Sequence, residues 1–159
     1  MPHNNTGAMK SRGAAFLWSQ AHLLTSREHL KIGRRPGVYR IRAFDAKGRP
    51  LPVARAAGVD SLGILHIGQS KNLGVRLRTF RQAAEGLQAA HHAGNQFHHW
   101  GFSRRFPFQH LRFDYVLANS QKEAIEWERE LHEEYRRAFL DRPPLDGTSG
   151  QSSEQARDS

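Results

Sequence analysis

The chain has 159 residues, 38% of them hydrophobic, which bounds it to one domain with one core. Lys and Arg number 24 against 15 Asp and Glu, a formal charge of +9, so a polyanion is the favoured partner and nucleic acid the commonest polyanion. The absence of cysteine excludes a disulfide framework and a thiolate metal site, and no segment approaches the ~20 apolar residues of a membrane span, so a cytoplasmic protein with no membrane partner is expected.

The charge is unevenly spread. Residues 1–120 carry 18 Lys or Arg and 5 Asp or Glu, a net +13, whereas residues 121–159 carry 6 and 10, a net −4. A basic body therefore precedes an acidic helix. Residues 1–13 are polar and contain glycine, with no continuous apolar run of the signal-peptide kind, and are expected to be flexible. Phe16, Leu17, Leu23, Leu24 and Leu30 suggest one or two short helices, so that residues 1–30 form a flexible and helical lead-in.

The domain proper is expected over residues 31–146. Gly33 to Gly37 reads as a turn, and Val38-Tyr39-Arg40-Ile41-Arg42-Ala43 alternates as a strand. Asp45 to Gly48 makes the next turn. Arg49 to Asp60 reads as a loop or ragged strand end, and Gly63-Ile64-Leu65-His66-Ile67-Gly68 as a buried strand. A helix begins at Asn72, with Leu73, Leu77, Phe80, Ala84 and Leu87 on its apolar face. Arg78 and Arg81 point away from that face, while Arg76 lies on its border at roughly 300° from Leu73. Gly74 weakens the first turn by about 1 kcal/mol relative to alanine.

From Ala90 to Gln109 the pattern is irregular. His91-His92 and His98-His99 invite a zinc reading, but adjacent histidines splay apart and no acidic or cysteine partner is near, which disfavours it. Phe97 to His110 interleaves aromatics with Arg104 and Arg105. Such a segment either grips nucleic acid, with Trp100 as a stacking platform, or lines the core as a basic loop. Leu111 to Leu117 alternates as a third strand, and the polar tail over residues 147–159 is expected to be disordered.

Ser120-Gln121-Lys122-Glu123 reads as a capping box that starts a helix running to about Phe139, ended by Asp141-Arg142-Pro143-Pro144. Ala124, Trp127, Leu131, Tyr135 and Ala138 form its apolar stripe, and most of its glutamates lie opposite. Glu128 is the exception, falling about 40° from Ala124 and so within the stripe. A carboxylate facing a core requires a cation, either an arginine or a metal ion. Two helices and three strands, the first pair hairpin-like, predict an α+β domain built on a small three-stranded antiparallel sheet flanked by helices.

Gly37-Val38-Tyr39, then His66-Ile67-Gly68, then Lys71-Asn72-Leu73 with Arg76-Leu77, then the Glu123 to Leu131 helix carrying Glu128, and finally Pro143-Pro144-Leu145-Asp146 follow one another in an order that resembles the GIY-YIG nuclease family. The resemblance spans residues 36–146. It departs from the family pattern twice, where His66 stands for the tyrosine of the second tripeptide and Asp146 for the closing asparagine. Gly37, Gly68, Asn72 and Asp146 carry the motif positions.

What the resemblance implies is a metal-dependent endonuclease that hydrolyses DNA phosphodiester bonds with an activated water, RNA being left open as a substrate. Glu128 would be the sole protein ligand to Mg2+ or Mn2+, with water completing the sphere. Arg76 would set a planar guanidinium against the phosphate, and its alternative is a structural salt bridge to Glu128. Tyr39 would take the proton from the attacking water, directly or through His66. A tyrosine of ordinary pKa, about 10, is a poor base at neutral pH, so Lys71, Arg76 and the metal would have to lower it. Lys71, Arg104, Arg105 and Trp100 are the candidate nucleic-acid contacts. Two rivals stand beside this reading: a nucleic-acid binding module that keeps the fold but not the cut, and a nuclease subunit of a larger repair or mobile-element complex with a protein partner of unspecified kind.

Overall fold

The computed structural model describes residues 16–147, so the expected flexible lead at residues 1–13 and all but the first residue of the expected tail lie outside the described residues. In chain order the elements are β1 (His22–Leu23), α1 (Glu28–Ile32), β2 (Gly37–Arg42), β3 (Val53–Arg55), β4 (Gly58–Asp60), β5 (Ile64–Ser70), α2 (Leu73–Ala84), α3 (His92–His99), β6 (Arg112–Leu117) and α4 (Gln121–Phe139), with 3-10 turns at Phe102–Arg104 and Phe108–His110. The chain is α+β. Its main sheet runs in the order β1-β6-β2-β5, antiparallel throughout, and β3 and β4 form a separate two-stranded ribbon.

The sheet thus has four strands where three were expected. The extra strand is β1, in which His22 pairs with Phe113 and Leu23 with Arg112. Two residues are too short to show a period, and only the partner strand makes them a strand. In place of lead-in helices before Leu30, the chain enters the sheet at His22 and forms one short helix, α1. The stretch expected to be a loop between Arg49 and Asp60 holds the β3–β4 ribbon, and the irregular histidine-rich segment holds α3.

Alternation on β2 explains the two-sided core. Tyr39 and Ile41 face one way and pack with Leu65, Leu73, Leu77, Phe80, Phe97 and Phe113, whereas Val38 faces the other way with Ile64, Ile67, Leu131 and Tyr135. Helices α2 and α3 therefore cover one face and α4 the other. Leu87 lies beyond the end of α2 and is 56% exposed, and Ala138 is likewise exposed near the end of α4, so both leave the apolar faces assigned to them. The weak first turn of α2 has a tertiary reason: a Cβ on Gly74 would collide with the His29 carbonyl, so only glycine lets α1 approach this closely. Its amide donates to the Gly33 carbonyl at 2.9 Å.

The α4 start follows the capping box with one shift. Ser120 Oγ accepts from the Glu123 amide at 3.1 Å, while the Glu123 carboxylate accepts from the amide of Asn119, not that of Ser120. Strand β5 is the sheet's outer strand, yet six of its seven residues are buried. Its outer edge is covered by side chains and by the chain after α4: the Leu145 amide donates to the Leu65 carbonyl at 2.9 Å, the Ile67 amide donates to Asp146 Oδ2 at 2.9 Å, and His132 Nε2 donates to the Ile67 carbonyl at 3.1 Å.

Candidate active site

Tyr39 projects from the centre of the sheet and reaches across β5. In the register it lies opposite Gly68, and a Cβ on Gly68 would sit 2.7 Å from the Tyr39 ring and hydroxyl. The glycine is therefore what allows the ring to lie flat over β5 and carry its hydroxyl to the neighbouring histidines. There Tyr39 Oη is 3.0 Å from His66 Nε2 and 2.9 Å from His91 Nε2. His66 Nδ1 bonds Asp146 Oδ1, whose other oxygen accepts from the Ile67 amide. Phe80 packs parallel to the His66 ring at 5.9 Å and edge-on to His91 at 5.0 Å, which fixes both imidazoles. His66 and Asp146, the two departures from the family pattern, are thus bonded to each other.

The network is closed to solvent. Tyr39 is 0%, His91 1% and His66 6% exposed. Burial drives the His91 pKa well below its ordinary value of 6.5, and the charge of Arg76 acts in the same direction. Burial also lowers His132, against the pull of the Asp146 carboxylate 3.9 Å away. Both are neutral in the folded chain and take up protons once unfolded, so stability is fully present above 6.5 and is lost as pH falls below it. Each histidine contributes up to about 1.4 kcal/mol per pH unit in that window. Denaturant midpoints should accordingly fall steeply on acidification through 6.5, and a flat profile there would show that these histidines are not held neutral.

Helix α4 adds the acidic member. Tyr135 Oη donates to Asp60 at 3.1 Å, and His132 reaches Ile67, so α4 runs back along β5. Glu128, one turn and about 6 Å before His132, is carried toward the Gly68–Ser70 end, where α2 begins. Glu128 is half-buried, and so are Glu123, Glu130 and Glu134, which the periodicity assigns to the solvated side, so burial does not set Glu128 apart. Arg76 is half-buried and Arg78 exposed on α2, as the periodicity assigns them, whereas Arg81, assigned outward with Arg78, is half-buried and bonds the Thr25 carbonyl. Lys71 is exposed just before that helix, and Asn72 occupies the N-cap position without a side-chain capping bond. Gly37 is buried at the start of β2, between Leu117 and Ser70.

Trp100 closes α3 and is 62% exposed, and Arg104 and Arg105 are exposed on the 3-10 turn that follows. This places the three on the surface. The neighbouring Phe97 is 0% exposed, so one segment lines the core and presents charge outward.

His91 is the residue the sequence reading passed over. The pair His91-His92 does splay apart, and the result is one histidine buried on Tyr39 and one exposed in the helix. Among the described residues no three His, Cys, Asp or Glu side chains gather as a metal-binding group. Asp146 has both oxygens engaged, by His66 Nδ1 and by the Ile67 amide. Comparison with protein-family models, curated proteins and solved structures finds no match to this chain.

Proposed function

We propose that the chain is a GIY-YIG-like endonuclease that hydrolyses DNA with the help of Mg2+ or Mn2+ held by Glu128. What supports this reading is convergence: Tyr39, His66, His91 and Asp146 come from four separate segments and meet in one bonded network, and the charge of Arg76 acts on His91. When bound, the ion would polarise the scissile phosphate and lower the pKa of a bound water. Glu128 would hold it from a rigid helix. Arg76 would supply a preorganised guanidinium as negative charge grows on the phosphate. The Tyr39–His66 pair would receive the proton of the attacking water, and Lys71, Arg104, Arg105 and Trp100 would hold the flanking strand. Incubation with supercoiled plasmid, with and without Mg2+ or Mn2+, tests the reading directly, because metal-dependent nicking is expected and its absence excludes it.

One observation favours a second reading, a nucleic-acid binding module without catalysis. Tyr39 is 0% exposed, so its hydroxyl meets no solvent in this conformation. Both readings require a phosphate-binding surface. With +13 over residues 1–120, DNA affinity should fall with salt at a log–log slope of magnitude above about 2, and a shallower slope would mean fewer than about three phosphate contacts and count against both.

A further inference from the structure

The hydrogen bonds at Tyr39 have a direction that follows from one backbone amide. The Gly94 N–H donates to His91 Nδ1 at 3.3 Å, since His91 is the N-cap of α3. That nitrogen therefore carries a lone pair, and in a neutral imidazole the proton resides on Nε2. His91 Nε2–H then donates to Tyr39 Oη at 2.9 Å. The Tyr39 hydroxyl also lies 3.0 Å from His66 Nε2, and with the His66 proton on Nδ1 toward Asp146 that nitrogen is an acceptor for the phenolic proton. His66 carries its own proton on Nδ1, facing Asp146 Oδ1. Asp146 accepts at both oxygens, one from His66 and one from the Ile67 amide, as an ionised carboxylate does.

We infer that His91 is a positioning residue that commits the Tyr39 proton to His66, so that Asp146, His66 and Tyr39 form a one-way chain in which the His66–Asp146 pair activates the phenol. The step balances internally. The Tyr39 O–H bond breaks and the His66 Nε2–H bond forms, leaving a phenolate held by His91 Nε2–H and an imidazolium held by Asp146. Arg76 and His92, whose charges act on His91, and His132 beside Asp146, itself facing Arg142, are charged or titratable groups around the chain. Substituting His and Asp for the tyrosine and asparagine of the family pattern is thus one change made at two places. Only the pair supplies both an acceptor for the phenol and an anion behind it.

The role in cleavage rests on the nuclease reading above, whereas the direction of the chain does not. Two-bond 15N–1H correlation spectra of the full chain should show His91 as the Nε2–H tautomer and His66 as the Nδ1–H tautomer. The opposite tautomer at either histidine overturns the inference whether or not DNA is cut. Two substitutions then separate capping from donation, since an asparagine oxygen takes the place of Nδ1 and a glutamine amide takes the place of Nε2. His91→Asn keeps the cap and loses the donor, and should lower kcat by about tenfold or more at unchanged KM. His91→Gln keeps the donor and should remain within about threefold of the parent. Equal kcat in the two variants would show that His91 acts only as a helix cap. If the parent nicks no plasmid, the nuclease reading falls and the tautomers still decide the direction of the chain.

Discussion

Glu128→Gln abolishes metal-dependent cleavage and leaves DNA affinity nearly unchanged. The substitution keeps the length and helix propensity of the side chain while removing the charge that a divalent ion requires of its one protein ligand. The expectation comes from the place of Glu128 on α4, half-buried within the apolar stripe and one turn before His132. A purely structural carboxylate at this position would show a different pattern, because a glutamine would disturb an ion pair within the fold and lower the melting temperature without separating binding from cutting. Plasmid nicking, equilibrium binding and thermal unfolding, measured on the same preparation, distinguish the two. Cleavage within about threefold of the parent would remove Glu128 from the site.

Arg76→Ala should slow cleavage by about 10² or more, the cost of losing one preorganised donor where charge develops. Arg78→Ala is the control, for it lies two residues away on the same helix and is exposed, whereas Arg76 is half-buried. A general loss of positive field would weaken both variants alike and would appear in affinity rather than in kcat. A large effect at Arg76 alone places a guanidinium at the reacting phosphate, and equal effects at both positions would refute it.

The long periodic segments were readable because their side chains repeat at the spacing of the backbone. Strands β2 and β6 alternate in sequence, β5 is a mostly apolar run, α2 keeps Leu73, Leu77 and Phe80 on one face, and the Ser120 cap fixes the start of α4. The segments that were missed lack any such repeat. β1 has two residues, β3 and β4 three each, and five of the eight residues of α3 are His, Gly or Asn, weak helix formers held in place by the His91 cap and the burial of Phe97. The site divides in the same way. Tyr39, His66 and Asp146 were found through motif positions, and the pairing of the last two was available in principle, since a histidine and a carboxylate replacing two neutral groups are complementary. His91 had no comparable signal, because nothing in the sequence distinguishes the buried member of a histidine pair from the exposed one.

The covering of β5 by Leu145 and Asp146 has a consequence for the order in which the site comes into being. Asp146 lies 80 residues beyond His66 in sequence, and their bond closes the largest loop that the network contains. The β1–β6 and β2–β6 pairings join residues comparably far apart, so the Asp146 bond is set apart by its place after the sheet in the chain rather than by its span. During synthesis the sheet and α2 can assemble while Asp146 is still unmade, with β5 open along its outer edge and His66 without the anion behind it. The segment after α4 therefore performs two tasks at once, sealing a strand edge that could otherwise pair with another chain and setting a carboxylate behind His66. The carboxylate behind His66 is thus in place only when that strand edge is covered.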